Sequence, residues 1–141
     1  MLRAALSLVL SLALVQGGKN PRVESFNIRL STVPMDASMR NTVAGKGYGK
    51  ATLAGNILTI TGSFEGLISP ATVARIHEGK VTGVRGPAIG DITIDQAVNG
   101  AISGKLNLTP EQLVSLRKGR LYMQIHSEKA SDGNLWGWLL R

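Results

Sequence analysis

The sequence predicts an all-β domain, an antiparallel Greek-key sandwich or barrel with one short helix. Three observations carry this. Apolar and polar residues alternate in short runs, the period of half-buried strands. Gly, Pro, Asn and Asp punctuate those runs at a spacing that suits roughly seven or eight strands. One stretch alone carries a helix start signal.

Phe26-x-Ile28-x-Leu30 opens the pattern as a half-buried strand. Residues 31–47 hold Pro34, Asp36, Asn41 and Gly45 and read as a long loop. Lys50 to Ala54 leads into Gly55-Asn56, a two-residue hairpin signal. The return strand places Leu58, Ile60 and Phe64 on one face and Thr59, Thr61 and Ser63 on the other.

Ser69-Pro70 breaks the run, and Thr72 to His77 is the next strand. Ala74 and Ile76 face one way; Val73, Arg75 and His77 face the other. Glu78 to Gly90 is glycine-rich and reads as a loop, and Asp91–Ile94 and Ala101–Leu108 are further strands. Thr109 is a good N-cap, Pro110 suits the first helical position, and Gln112 completes a capping box. A helix of about two turns follows, ended by Gly119. Leu121, Met123 and Ile125 then alternate with Tyr122, Gln124 and His126. A turn is expected over Ala130–Asn134. Leu135, Gly137 and Leu139 alternate after it with Trp136, Trp138 and Leu140.

The N-terminal segment stands apart from this pattern. Arg3 precedes an apolar run from Ala4 to Val15, and Val15-Gln16-Gly17 places small residues where a signal peptidase reads. The run is well short of the ~20 residues needed to span a bilayer. A signal peptide is therefore expected over residues 1–18 and the folded domain over 19–141. Cleavage is expected near Gly17 or Gly18, the alternative being an uncleaved or lipid-linked form. No Cys follows the run, so a lipoprotein acylation site is missing. The expected location is secreted or periplasmic, and the mature form is not expected to span a membrane.

The chain has 141 residues and no Cys, so no disulfide supports it and the fold rests on packing and hydrogen bonds. Its formal net charge of +7 favours anionic partners. The basic residues are scattered in short groups such as Lys46–Lys50 and Arg117-Lys118-Arg120, which reads as a solubilising surface rather than a dedicated anion site. With 4% aromatic residues there is no base-stacking platform, and no nucleic acid is expected as partner. An unidentified protein or an anionic surface ligand is.

Several segments in order resemble the CHRD family, the repeat unit of chordin. Gly55-Asn56 to Gly66-Leu67 resembles its central hairpin strand and closing turn. Ala74-Arg75-Ile76-His77-Glu78-Gly79 with Gly86-Pro87-Ala88 is similar to the family's Ala-His-Ile-His-x-Gly followed by Gly-Pro. Leu108-Thr109-Pro110-Glu111-Gln112 resembles its helix start. Leu121-Tyr122-x-x-Ile125-His126-Ser127 and Gly133-Asn134-Leu135-x-Gly137 resemble its last two strands. The resemblance covers about Phe26 to Leu140 and implies an all-β, exported, stand-alone domain. In chordin such domains accompany cysteine-rich modules that bind bone morphogenetic proteins. This chain carries no such module, so that activity is not carried over.

The two histidines, His77 and His126, both fall in motif positions, each on the polar side of its strand. With Glu78, Glu128 or Asp132 they could form a zinc or copper site if the strands meet. Histidines on a Greek-key strand resemble, at the level of fold alone, copper/zinc superoxide dismutase. Arg75 stands where the family has its first motif His, and guanidinium cannot ligate a metal. A dismutase-type redox enzyme is therefore not expected. The competing role is structural: the histidines cap turns, and Arg75 pairs with Glu78 or Asp132 to pin the long loop. Ser127 adjoins His126 but faces the opposite way on a strand, and no thiol, nucleophile elbow or phosphate-binding glycine motif is present. Trp136 and Trp138 share a face and are expected to seal one end of the core, or, if exposed, to form a carbohydrate or protein platform. A non-enzymatic binding or structural module without a cofactor is the leading expectation. A metal-binding protein of superoxide-dismutase-like sandwich fold is the alternative, and an enzyme of unseen site the third.

Overall fold

The structure, a computed structural model, describes residues 22–141, so the signal peptide expected over 1–18 lies outside the described residues. Eight strands follow one another: β1 (Glu24–Thr32), β2 (Lys46–Ala54), β3 (Ile57–Glu65), β4 (Ala71–Glu78), β5 (Ala88–Ile94), β6 (Gly100–Asn107), β7 (Leu121–Ser127) and β8 (Ala130–Leu140). One helix, α1 (Pro110–Arg117), lies between β6 and β7, and a short 3-10 turn covers Ala37–Met39.

All pairings are antiparallel, and the order β1-β2-β3-β6-β5-β4-β7-β8 closes on itself as a barrel. Of the two expected arrangements, the wall is thus a barrel and not an open sandwich. The connections β3 to β4 and β6 to β7 each skip neighbouring strands, which is the Greek-key pattern. Inward residues fill the barrel: Phe26, Ile28 and Leu30 from β1, Leu58, Ile60 and Phe64 from β3, and Leu121, Met123 and Ile125 from β7. Each set keeps one strand face, with Gly62 at the gap in β3, so the alternation read from the sequence does place the core.

Local chemistry ends and starts the elements as expected. Gly55 sits at φ +62° in the β2–β3 hairpin, a left-handed conformation that costs glycine little. Thr109 Oγ1 accepts from the Gln112 N–H at 3.2 Å, and Gln112 Oε1 accepts from the Thr109 N–H at 3.0 Å. This reciprocal pair satisfies two donors that a helix start otherwise leaves free.

Some boundaries differ from the sequence reading. β2 begins at Lys46 and β5 at Ala88, taking residues from the expected loops. The last reversal uses Glu128 and Lys129, because Ser127 pairs with Ala130. The expected turn residues 130–134 instead begin β8, with Gly133 at φ +133° absorbing the irregularity.

The barrel has two unlike outer walls. On β1–β2–β3–β6 the outward side chains are polar and mostly exposed, as the burial alternation of β1 and β2 shows. On β7 every residue is buried, outward as well as inward. The two halves meet thinly between β5 and β6, whose paired residues are Thr93 with Ser103 and Ile94 with Ile102.

Candidate functional site

The covered outer wall of β4, β7 and β8 holds the sequence-selected side chains. Register puts His77 opposite Tyr122 and Tyr122 opposite Trp138. One row on, Arg75 faces Gln124, which faces Trp136; in the next row Val73 faces His126. The two histidines therefore share one wall, on neighbouring strands, offset by two rows.

Both imidazoles are fixed by backbone carbonyls. His77 Nδ1 lies 2.9 Å from the Gly86 carbonyl oxygen and His126 Nδ1 lies 2.8 Å from that of Ser131. A carbonyl can only accept, so these contacts assign the proton to Nδ1 in each ring and leave Nε2 with its lone pair. Gln124 Nε2 donates to His126 Nε2 at 3.3 Å and to the Asp132 carbonyl at 3.2 Å. His77 Nε2 and Gln124 Oε1 are buried with no hydrogen-bond partner in the protein. Burial pushes the His77 pKa below its ordinary value. The bond to Gly86 opposes that shift, while His126, Arg75 and Arg85 add to it.

A glycine-rich loop, residues 79–87, straps across this wall. The Gly86 N–H donates to the Tyr122 hydroxyl at 3.0 Å, and that hydroxyl donates back to the Gly86 carbonyl at 3.1 Å. Thr82 Oγ1 donates to the Gly119 carbonyl at 2.7 Å, and the Gly79 N–H to that of Arg120 at 2.9 Å. A Cβ on Gly86 would run into the Glu78 carbonyl oxygen, so the strap needs glycine there for close approach.

Aromatic rings fill the space between strap and wall. His77 stacks on Tyr122 at 4.9 Å, Trp138 packs 4.5 Å from Tyr122, and Trp136 meets Tyr122 and Trp138 edge-on. Arg85, from the strap, lies 5.8 Å over Trp136. The tryptophans are half-buried and sit on the outside of the barrel wall, not at the end of the core as the sequence suggested. They are a covering layer, because β8 turns its small and aliphatic residues Leu135, Gly137 and Leu139 inward.

The structure brings the two histidines to one wall and leaves the carboxylates out. Glu78 follows His77 on β4 and so points to the other side; Glu128 and Asp132 are exposed beyond the hairpin. Among the described residues no group of three His, Cys, Asp or Glu side chains is gathered for a metal ion. Arg75 pairs with Asp91 on β5 at 2.9 Å, not with Glu78 or Asp132, since register sets Asp91 directly opposite it. Ser127 is buried and donates to Asn134 Oδ1 at 3.3 Å, away from His126.

The sequence put Tyr122 and Gln124 beside His126 but gave no sign that Gly86 joins them. Alternation does put Tyr122 and Gln124 on the face of His126, which was legible. The reach of Gly86 to that face depends on the path of the strap, which was not.

No curated protein and no solved structure is significantly similar to the chain. Residues 27–139, from within β1 to near the end of β8, match the family pattern described as the CHRD domain, and the chain belongs to that family.

Proposed function

We propose that the protein is an exported, non-enzymatic module that acts by binding, and that its histidine cluster is scaffold. The observation that carries this is the use to which the cluster's donors are put. The His77 N–H and the Tyr122 hydroxyl hold the Gly86 carbonyl of the strap, the His126 N–H holds the Ser131 carbonyl of β8, and Arg75 holds Asp91. The strap and two tryptophans cover the same side chains, which leaves a substrate little approach. Export is supported by the leader-like segment before residue 19 and by membership of a family whose chordin relative is exported.

The test pairs metal analysis with melting of His77→Ala and His126→Ala. The expected result is no stoichiometric zinc or copper in the wild type and a lower Tm in both variants. Each substitution removes a part-buried hydrogen bond, at a cost of about 0.5–1.5 kcal/mol, together with the packing of the ring. Variants that melt like the wild type would remove the scaffold reading.

One observation favours a second reading, a metal-binding protein. His77 Nε2 and Gln124 Oε1 are buried acceptors without a donor, and His126 Nε2 differs only in accepting from Gln124. Anchored Nδ1–H groups are also how metal-binding imidazoles are oriented. The shell would be two neutral imidazoles and an amide oxygen, with no carboxylate. One-to-one zinc or copper binding, lost in both histidine variants, would establish it.

A further inference from the structure

Arg29, Lys50 and Lys105 are far apart in sequence, and the antiparallel register assembles them on the open wall. Lys50 faces Asn27 on one side and Thr61 on the other, and Thr61 faces Ser103. One row away Arg29 faces Tyr48; one row the other way Lys105 faces Thr59. The cations thus run diagonally across four strands, about 14 Å wide at ~4.8 Å per strand and about 13 Å along them, a span of roughly 20 Å.

All three are exposed, and none has an ion-pair partner among the described residues. No carboxylate stands among them. The acid at the edge, Glu65, pairs with Lys46 at 3.6 Å. Hydroxyl and amide side chains fill most of the remaining outward positions, the exceptions being Tyr48, Ala54, Ile57 and Ala101. Tyr48 is 57% exposed, and a shallow depression of about 410 Å³ beside it is bounded by Lys46, Ser63, Asn99 and the Lys46-paired Glu65.

We infer that this wall binds an acidic polysaccharide, a chain carrying carboxylate or sulfate groups, laid across β1, β2, β3 and β6. The inference rests on the binding-module reading above and names its surface and ligand class. The spaced cations complement anionic groups along a polymer. The hydroxyls and amides between them match sugar hydroxyls, and the Tyr48 ring offers a face to sugar C–H groups. Duplex nucleic acid fits less well, because nothing protrudes from the flat wall to enter a groove. A lipid surface fits less well too, because the two large exposed apolar side chains on the wall, Tyr48 and Ile57, stand near opposite ends of the β2–β3 ladder and form no continuous patch to insert.

The test is binding of size-defined heparin and polygalacturonate fragments to the wild type, K50E/K105E and K80E/K129E. The second double variant makes the same change in net charge at exposed lysines outside the wall. Expected are salt-sensitive binding by the wild type, a loss of about tenfold or more in K50E/K105E, and near-wild-type affinity in K80E/K129E. Unchanged melting in all three proteins confirms that each is folded. Equal losses in both double variants would reduce the effect to bulk charge and overturn the inference. Binding to duplex DNA or to phosphatidylserine vesicles but to neither polysaccharide would overturn the ligand class while leaving the module reading intact. The histidine variants test that reading separately. Failure of the folded wild type to bind either polysaccharide also overturns the inference.

Discussion

β3 and β7 are both interior strands of the barrel wall with the same inward chemistry, yet their outer sides have opposite fates. Leu58, Ile60 and Phe64 fill the core from β3, while Thr61 and Ser63 meet water. Leu121, Met123 and Ile125 do the same from β7, but Tyr122, Gln124 and His126 are buried as well. The difference is made by what lies over each side chain: residues 79–87 over Tyr122, and the start of β8, through the Ser131 and Asp132 carbonyls, against His126 and Gln124. Residues 79–87 cross β7 and carry Gly86 to Tyr122 and Arg85 to Trp136. Complete burial of one large side chain contributes about 1.5–3 kcal/mol, so a strap that adds a second buried layer strengthens the fold locally. The wall without a strap is left free for contact with something outside the molecule.

The comparison breaks most visibly at Tyr122. Tyr122→Ala removes the ring under His77, Trp136 and Trp138 and is expected to destabilise by about 3–5 kcal/mol in chemical denaturation, a core-sized cost from an outward position. A cost under about 1 kcal/mol would mean the outer layer is cosmetic. Tyr122→Phe keeps the ring and leaves the Gly86 N–H without its partner, while the Gly86 carbonyl keeps His77, so about 1–3 kcal/mol is expected. Faster proteolysis within residues 79–87 should accompany that loss.

A smaller effect comes from His77. Its folded pKa is depressed while the unfolded chain titrates near 6.5, so the unfolded state binds the proton first as pH falls. The stability held by neutral His77 is full above about pH 6.5 and is lost as pH drops through that value toward the folded pKa. Melting between pH 7.5 and 5 should therefore show a steeper fall for the wild type than for His77→Gln. Parallel curves would exclude His77 as the source. Smallest of all, Thr61→Ala on the open wall should change stability by less than about 0.5 kcal/mol. A larger cost would mean that this wall, too, is packed against something.

What the sequence revealed follows from how local each signal is. Strand faces such as Phe26/Ile28/Leu30 and the cap formed by Thr109 and Gln112 depend on neighbours a few residues away, and they were legible. The Glu128–Lys129 reversal was not, because it uses neither Gly, Asn nor Pro while Gly133-Asn134 nearby mimics a turn. The partner of Arg75 was misjudged although alternation already placed Glu78 on the other side of β4. Asp91 becomes its partner only through the β4–β5 register. The scattered lysines and arginines looked generic for the same reason. Arg29, Lys50 and Lys105 become one surface only after four strands are laid side by side in the order 1-2-3-6.

The thin seam between β5 and β6 gives the cylinder a preferred place to unzip. With Thr93/Ser103 and Ile94/Ile102 as its paired residues, against the long ladder of β2 with β3, its amides need only a small excursion to meet solvent. Amide hydrogens there should exchange with deuterium well before those of β3 or β7. During such an opening the closed wall briefly owns two free strand edges, which is when another polypeptide could add itself as a ninth stave.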